Sequence, residues 1–539
     1  MINRDPIYFF SPNLKKESYL LEELRERIQS GNHYDFLFEV LNGSYSIESK
    51  FSFSILNDIL NIGGLSWIVN EKVFVKWPDW GGVDGRQVTK FALEKSIDKE
   101  DPLMKDLKKE EWNSHKDLFF DSIDKNELLE IIGQSSFELK PLAESESIIF
   151  DICLKYWTMP VRSRPSRSKR FILWCINDEF KKGKKVVGIL EIGDDAPISN
   201  HRDDMLGLTY PSFMKWFESG STEDNKNRLC EIYKKFCKLE ESLREDSFYL
   251  TSDILPHKKL QSYRSKIRSA QSFFDPKNWH SDNVNTESGI RKFKEAIKII
   301  HDITLPRIHS EVTICGSIPP FNEIYGGKLM VTFLGHPLIQ TALQSSESKI
   351  LQMSFDLNKL NDILPNFGSL AITTKGLYSG HSPMYKNSVL AWRNGQIKFR
   401  HLGNTNGSTT SFISSRSVVF AKKLLQLRHN QLSNIWGSGG SLKQRILTRS
   451  CHEVGLDHNL PFAGISRPVY GCCYVSNIHE IIWCNDQPNW LYDDKETSVG
   501  YSDVCYEVWS KKWLNKVIKK PNKILGTLYQ SIIHRISSE

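Results

Sequence analysis

Residues 311–335, EVTICGSIPPFNEIYGGKLMVTFLG, constrain the fold more than any other stretch of the chain. Val312 and Ile314 belong to the short apolar run of a buried strand. Pro319 and Pro320 stop that strand and open a helix, because proline's missing N–H is no loss in a first turn. Leu329, Met330, Phe333 and Leu334 then recur at helical spacing. Gly326 and Gly327 fall in the first half of this helix, where each costs about 1 kcal/mol relative to alanine. Two explanations stay open: a neighbouring element packs against the backbone there, or a ligand approaches it. On the second, Asn322, Gly326, Gly327 and Lys328 are the ligand-binding candidates.

At 539 residues the chain is too long for one core, so several domains are expected. Residues 1–120 read as an N-terminal α+β region, with WIVNEKVFVKW as a hairpin turning at Asn70-Glu71. Residues 121–410 read as a core of strands with a helical insertion at about 215–305. Its expected strands include SIIFDICLKYW, FILWCIND, VVGILEIG, SLAITTKG and IKFRHLGNTNG. Residues 411–539 read as helical with a short strand pair around RPVYGCCYV. There Ser441 and Gln444 form a capping box that starts a helix. The closing segment VCYEVWSKKWLNKVIKK is a basic amphipathic helix, whose stripe Cys505, Trp509, Trp513 and Val517 reads as core packing.

Composition narrows the chemistry. No window approaches 18 uninterrupted apolar residues, which argues against a membrane span. The first residues lack a secretory core, since Pro6 and Pro12 bracket only a short apolar run, so a cytoplasmic protein is expected. None of the ten cysteines falls in a C-x-x-C pair, so no metal site is expected and the thiols read as buried and reduced. A Walker A loop fails because Leu329 follows Gly327-Lys328, and H-E-x-x-H and G-x-S-x-G are absent. The acid pairs Asp194-Asp195 and Asp203-Asp204 match either turn acids or metal-holding carboxylates. Tyr378 and His381 lie just past a strand in a Gly/Ser-rich turn, with Tyr385 beyond. These three are the catalytic candidates, set against the plainer reading of a surface turn.

The net charge of +7 permits a nucleic-acid partner without demanding one. Basic runs free of acids occur at 162–170 and 257–270, and Lys443 and Arg445 decorate the helix after Ser441. Arg164, Arg167, Arg170, Lys443 and Arg445 are therefore candidate DNA or RNA contacts, in a reading where the protein is a binding module without catalysis.

Taken in order, strands lead into a strand, a turn and a glycine-bearing helix. A strand ending near Tyr378 follows, then a helix with Tyr385. This succession resembles the N-acyltransferase (GNAT-like) fold. The resemblance implies an α+β chain whose splayed central strands hold acyl-CoA, with main-chain N–H groups receiving the pyrophosphate. Where that fold has Gln or Arg followed by alternating glycines, this chain has Asn322 and two adjacent glycines.

A second resemblance is more specific. ICGSIPPFNEIYGGKL (314–329) resembles the signature of the DruA family of the Druantia anti-phage defence system. KYWTMPVRSRPSRSKRFILW, VVGILEIGDDAPISNHRDDMLG, LAITTKGLYSGHSPMYKNSVL, GSGGSLKQRILTRSCHEVGL, RPVYG and VWSKKWL are similar to further landmarks of that family, over roughly residues 145–520. The resemblance implies a role in defending a bacterium against phage, with other Druantia proteins as partners. It carries no catalytic assignment.

Overall fold

The computed structural model describes residues 7–9, 23–24, 26–27, 33–61, 65–69, 72–76, 109–156, 167–194, 199–243, 254–277, 279, 286–344, 354–376, 384–392, 395–405, 413–429, 442–456, 467–491 and 500–526. The fold is mixed α+β around one seven-stranded sheet. Its strands are β1 (Ser136–Pro141), β2 (Ser168–Ile176), β3 (Lys184–Gly193), β4 (His309–Ser317), β5 (Ala371–Lys375), β6 (Arg400–Asn404) and β7 (Pro468–Cys473). The order across the sheet is β1-β2-β3-β4-β5-β7-β6. Every neighbouring pair is antiparallel except β4 and β5, which run parallel. A parallel pair needs a crossover between its strands. Here the crossover runs from Ser317 to Ala371 and carries the Gly-Gly helix, Gly326–Thr332.

Both faces of the sheet are covered. In β2, Phe171, Leu173 and Cys175 enter one core while Ile172 and Trp174 enter another, the period-two signature of a two-sided strand. The Gly-Gly helix and the C-terminal helix Tyr501–Trp509 contribute to the first core. Ser147–Tyr156 contributes to the second, and here the structure corrects the sequence reading: SIIFDICLKYW supplies a helix, not a strand. Ile149, Phe150, Ile152 and Cys153 are buried at helical spacing. A short apolar run does not by itself tell a buried helix from a buried strand. The segment 397–407 also divides, with Gly395–Lys398 pairing back onto Val389–Trp392 and only β6 joining the sheet.

Between β3 and β4 the chain leaves the sheet for helices Tyr210–Phe217, Thr222–Glu241, Ile254–Phe274 and Glu287–Ile299. Capping boxes at Thr209 and Ser221 start the first two. Phe213, Phe274, Phe293 and Trp483 join their aromatic core. A further core is shared by helices from both ends of the chain, His33–Asn42 and Ile47–Asn61 with Ser415–His429 and Leu442–Glu453. The expected hairpin is present: Leu65–Val69 pairs with Lys72–Lys76, which also pairs with Ile7–Phe9.

The C-terminal helix has an internal change of pitch, with a π segment at Ser510–Leu514 before Asn515–Ile518. A strict four-residue repeat outruns the 3.6-residue turn by about 40° per step. The wider π turn takes up the excess. Cys505, Trp509, Trp513 and Val517 consequently all stay buried, as the stripe predicts. Among the described residues no helix is long and apolar enough to cross a membrane.

Candidate ligand-binding site

The parallel strands part early. β4 and β5 share only four register positions, His309↔Ala371 to Val312↔Thr374. The last paired carbonyl, that of Val312, accepts the Thr374 hydroxyl at 2.9 Å. One position earlier, Lys375 reaches Glu311 at 2.9 Å. Immediately beyond, Thr313 is the extra residue of a bulge against β3, which redirects the strand. Thr313, Ile314 and Cys315 are half-buried, and among the described residues the register between β4 and β5 ends at Val312 and Thr374. The two strands form a fork there.

The turn beyond β4 shapes one wall. Pro319-Pro320 is a cis peptide, followed by the tight turn Phe321–Ile324. Tyr325 then takes a left-handed conformation, φ 62°, uncommon for a bulky residue. Its carbonyl is held from two sides, by the Lys328 N–H at 2.8 Å and the Trp509 indole N–H at 3.1 Å. The helix begins at Gly326, so the glycines occupy its first turn. A Cβ on Gly326 would lie 2.5 Å from the Phe321 carbonyl oxygen. One on Gly327 would lie 3.1 Å from the Met384 side chain. Close packing therefore accounts for Gly326 outright, while Gly327 faces only a flexible thioether.

Met384 and Tyr385 come from a turn that lies against the fork, where the sequence reading expected a helix with Tyr385. Tyr385 is buried between Phe399 and Tyr470, at 5.6 and 5.3 Å between ring centroids, and hydrogen-bonds the Cys315 thiol. Burial pushes that thiol up to about 12, so it stays protonated. Lys328 is buried as well, with its ammonium donating to the Lys386 carbonyl and lying 4.6 Å from the Trp513 ring centre. Burial lowers its pKa to about 8, with Lys512 and Lys516 pushing the same way. Asn322 is exposed. Gly327 and Tyr385 thus meet the two sides of one turn, Gly327 through Met384 and Tyr385 through its bond to Cys315 on β4, and Lys328 holds the same turn at the Lys386 carbonyl. Tyr378 and His381 lie outside the described residues.

Three of the nucleic-acid candidates are engaged within the fold. Arg164 and Ser441 lie outside the described residues. Arg167 is buried in a two-pronged pair with Asp194, at 2.6 and 2.9 Å, and also donates to the Pro306 carbonyl. Arg170 pairs with Glu191 at 3.2 Å and lies over the Phe150 ring. Lys443 donates to the Ile413 carbonyl at 2.7 Å, in the core shared by the two chain ends, with half-buried Arg445 on the same helix. The acid pairs are engaged too, Asp194 by Arg167 and Asp203 by Arg202 at 2.6 Å and His301 at 3.3 Å. What the sequence reading missed was the partner of each charge, which lies as far as 139 residues away in the chain and carries no local signal.

None of the curated proteins and none of the solved structures matches the chain. A family model does match, that of Druantia protein DruA, over residues 298–483. This span holds β4, the Gly-Gly helix, β5, the Met384-Tyr385 turn and β7, which is the whole fork with its wall. Over that segment the chain is similar to the DruA family.

Proposed function

We propose that the protein is the DruA component of a Druantia anti-phage defence system, acting with other proteins of that system in the cytoplasm. Its central sheet works as a GNAT-like scaffold that holds a phosphate-bearing ligand, acyl-CoA being the first to test, in the fork between β4 and β5. The observation that carries the ligand reading is the fork itself. A single parallel pair in an otherwise antiparallel sheet separates after four positions, just before the bulge at Thr313. An extended pantetheine-like chain adds to a strand edge in the way a peptide does. Asn322, Gly327 and Lys328 stand beside this edge as its polar and narrow elements.

Hydrogen–deuterium exchange with and without coenzyme A tests the reading directly. Bound coenzyme A is expected to slow exchange across 313–317 and 326–328. Asn322→Ala, an exposed change, should weaken binding severalfold at an unchanged melting temperature. Exchange at 313–317 indifferent to coenzyme A and acetyl-coenzyme A would remove that ligand from the fork. Plating efficiency of phage on cells with and without the gene tests the defence role separately.

A further inference from the structure

Beyond the fork, the C-terminal helix presents a concentration of positive charge that the fold leaves unmatched. Three ammonium groups crowd the Trp513 ring, those of Lys516 at 4.2 Å, Lys328 at 4.6 Å and Lys512 at 5.6 Å from its centre. A fourth, of Lys520, lies 4.1 Å over the Tyr325 ring. Lys398 on the strand Gly395–Lys398 is near enough to Lys512 to depress its protonation, together with burial and Lys516. Lys386 is exposed on the turn whose carbonyls take Lys328 and Lys512. Among the described residues no carboxylate pairs with any of these six lysines. Their neighbours differ: Lys511 is matched by Glu507 and Lys523 by Glu323. Lysines on other helices are matched in the same way, Lys234 by Glu231 and Lys298 by Glu295.

Cation–π attraction recovers part of the cost of holding like charges together. The repulsion among the ammonium groups remains, and it is visible in Lys328, whose affinity for its proton is reduced first by burial and then by Lys512 and Lys516. An anion lying across the face removes that repulsion. The face is exposed and elongated. Lys512 lies in the π segment, Lys516 in the helix after it, and Lys520 just past its end, so the exposed lysines follow one another along the chain. A succession of cations suits a chain of phosphates better than one compact anion, and phosphate contacts need no base recognition.

We propose that this face, Lys512, Lys516 and Lys520 flanked by Lys386 and Lys398, is a docking surface for the phosphate backbone of a nucleic-acid strand. It is separate from the arginine run near 162–170 and independent of any ligand in the fork. Lys328 and Lys512 also position the surface, since they fix the 384–388 turn through its carbonyls.

The test is fluorescence anisotropy with labelled 20-nucleotide single-stranded and duplex DNA over a salt series. The full chain is compared with Lys386→Gln/Lys516→Gln/Lys520→Gln, which leaves Lys512 to hold the 384–388 turn. A control of equal charge is Lys215→Gln/Lys226→Gln/Lys238→Gln, at exposed positions of the inserted helices. The first variant should bind at least about tenfold more weakly at moderate salt, with a salt slope shallower by about 2 to 3 for three lost phosphate contacts. The control should bind as the parent does, and coenzyme A protection at 313–317 should survive in both. Equal loss in both variants would mean diffuse attraction, and no binding by the parent would mean no such surface. Binding of poly-glutamate without binding of either DNA would assign the face to an acidic protein. Each of these three results overturns the proposal.

Discussion

Asp58 is held by Ser414 through both N–H and hydroxyl, at 3.0 and 3.1 Å, and by the Ser417 hydroxyl at 2.6 Å. These bonds and the nearby Lys443 favour the carboxylate, yet burial outweighs them and raises its pKa to about 7. The folded state therefore holds a proton that the unfolded chain has released. Between about pH 4 and pH 7 this group makes stability fall as pH rises, by about 1.4 kcal/mol for each pH step at most. Below that window its penalty is absent, and above it the penalty is complete. Asp58→Asn should flatten this part of the profile when urea melts of the two proteins are compared at pH 4.5 and pH 7.5. A difference between the proteins that does not change with pH would show that Asp58 titrates normally. Nothing in the sequence marked Asp58, because its partners sit more than 350 residues further on and only the folded contact buries it.

Elements were legible where a pattern lies within one segment. The spacing of Leu329, Met330, Phe333 and Leu334, all fully buried, gave the Gly-Gly helix, and the Cys505–Val517 stripe gave the C-terminal helix. The segment 147–156 was misread because its apolar run is dense enough for either element. Asn322, Gly326, Gly327 and Lys328 could be singled out as candidates, but the surroundings of the last three could not, since Phe321, Met384 and Trp513 face them from three different segments. Gly335 shows how tightly this layer is closed. It ends the turn Phe333–Gly335 against the strand Val389–Trp392, and a Cβ there would overlap the Ala391 carbonyl oxygen. A backbone atom cannot yield as a side-chain tip does. Gly335→Ala should thus cost at least the roughly 1–3 kcal/mol typical of overpacking. Gly133, at the end of the helix Lys125–Gly133, has nothing within 4 Å of such a Cβ. Gly133→Ala should leave stability unchanged or raise it by about 0.4–1 kcal/mol. Denaturant melts of the two variants check both, and a Gly335→Ala protein as stable as the parent would mean the strand shifts freely.

At the scale of the molecule, the two ends of the chain depend on each other. Phe36, Leu37, Phe51 and Leu56 from the N-terminal helices share a core with Leu424, Leu425, Ile446 and Leu447 from helices some 400 residues later. The Asp58–Ser417 bond lies in the same contact. The sequence suggested an N-terminal region and a C-terminal region as neighbours of the central sheet. It carried no sign that they pack together, because amphipathic helices announce an apolar face without naming the face opposite. The consequence is testable by deleting residues 1–76, which removes the N-terminal helices and the small sheet. Ala421, Leu424, Leu425, Ile446 and Leu447 would then face water, and burial of each large side chain is worth about 1.5–3 kcal/mol. Helices 415–429 and 442–453 should lose exchange protection and bind a hydrophobic dye, while β2, β3 and β4 keep theirs because their cores use none of the deleted residues. Protection retained in both helices would show that they are stable without the N-terminal pair. Protection lost throughout the sheet would make the whole chain one cooperative unit, with the fork dependent on its distant ends.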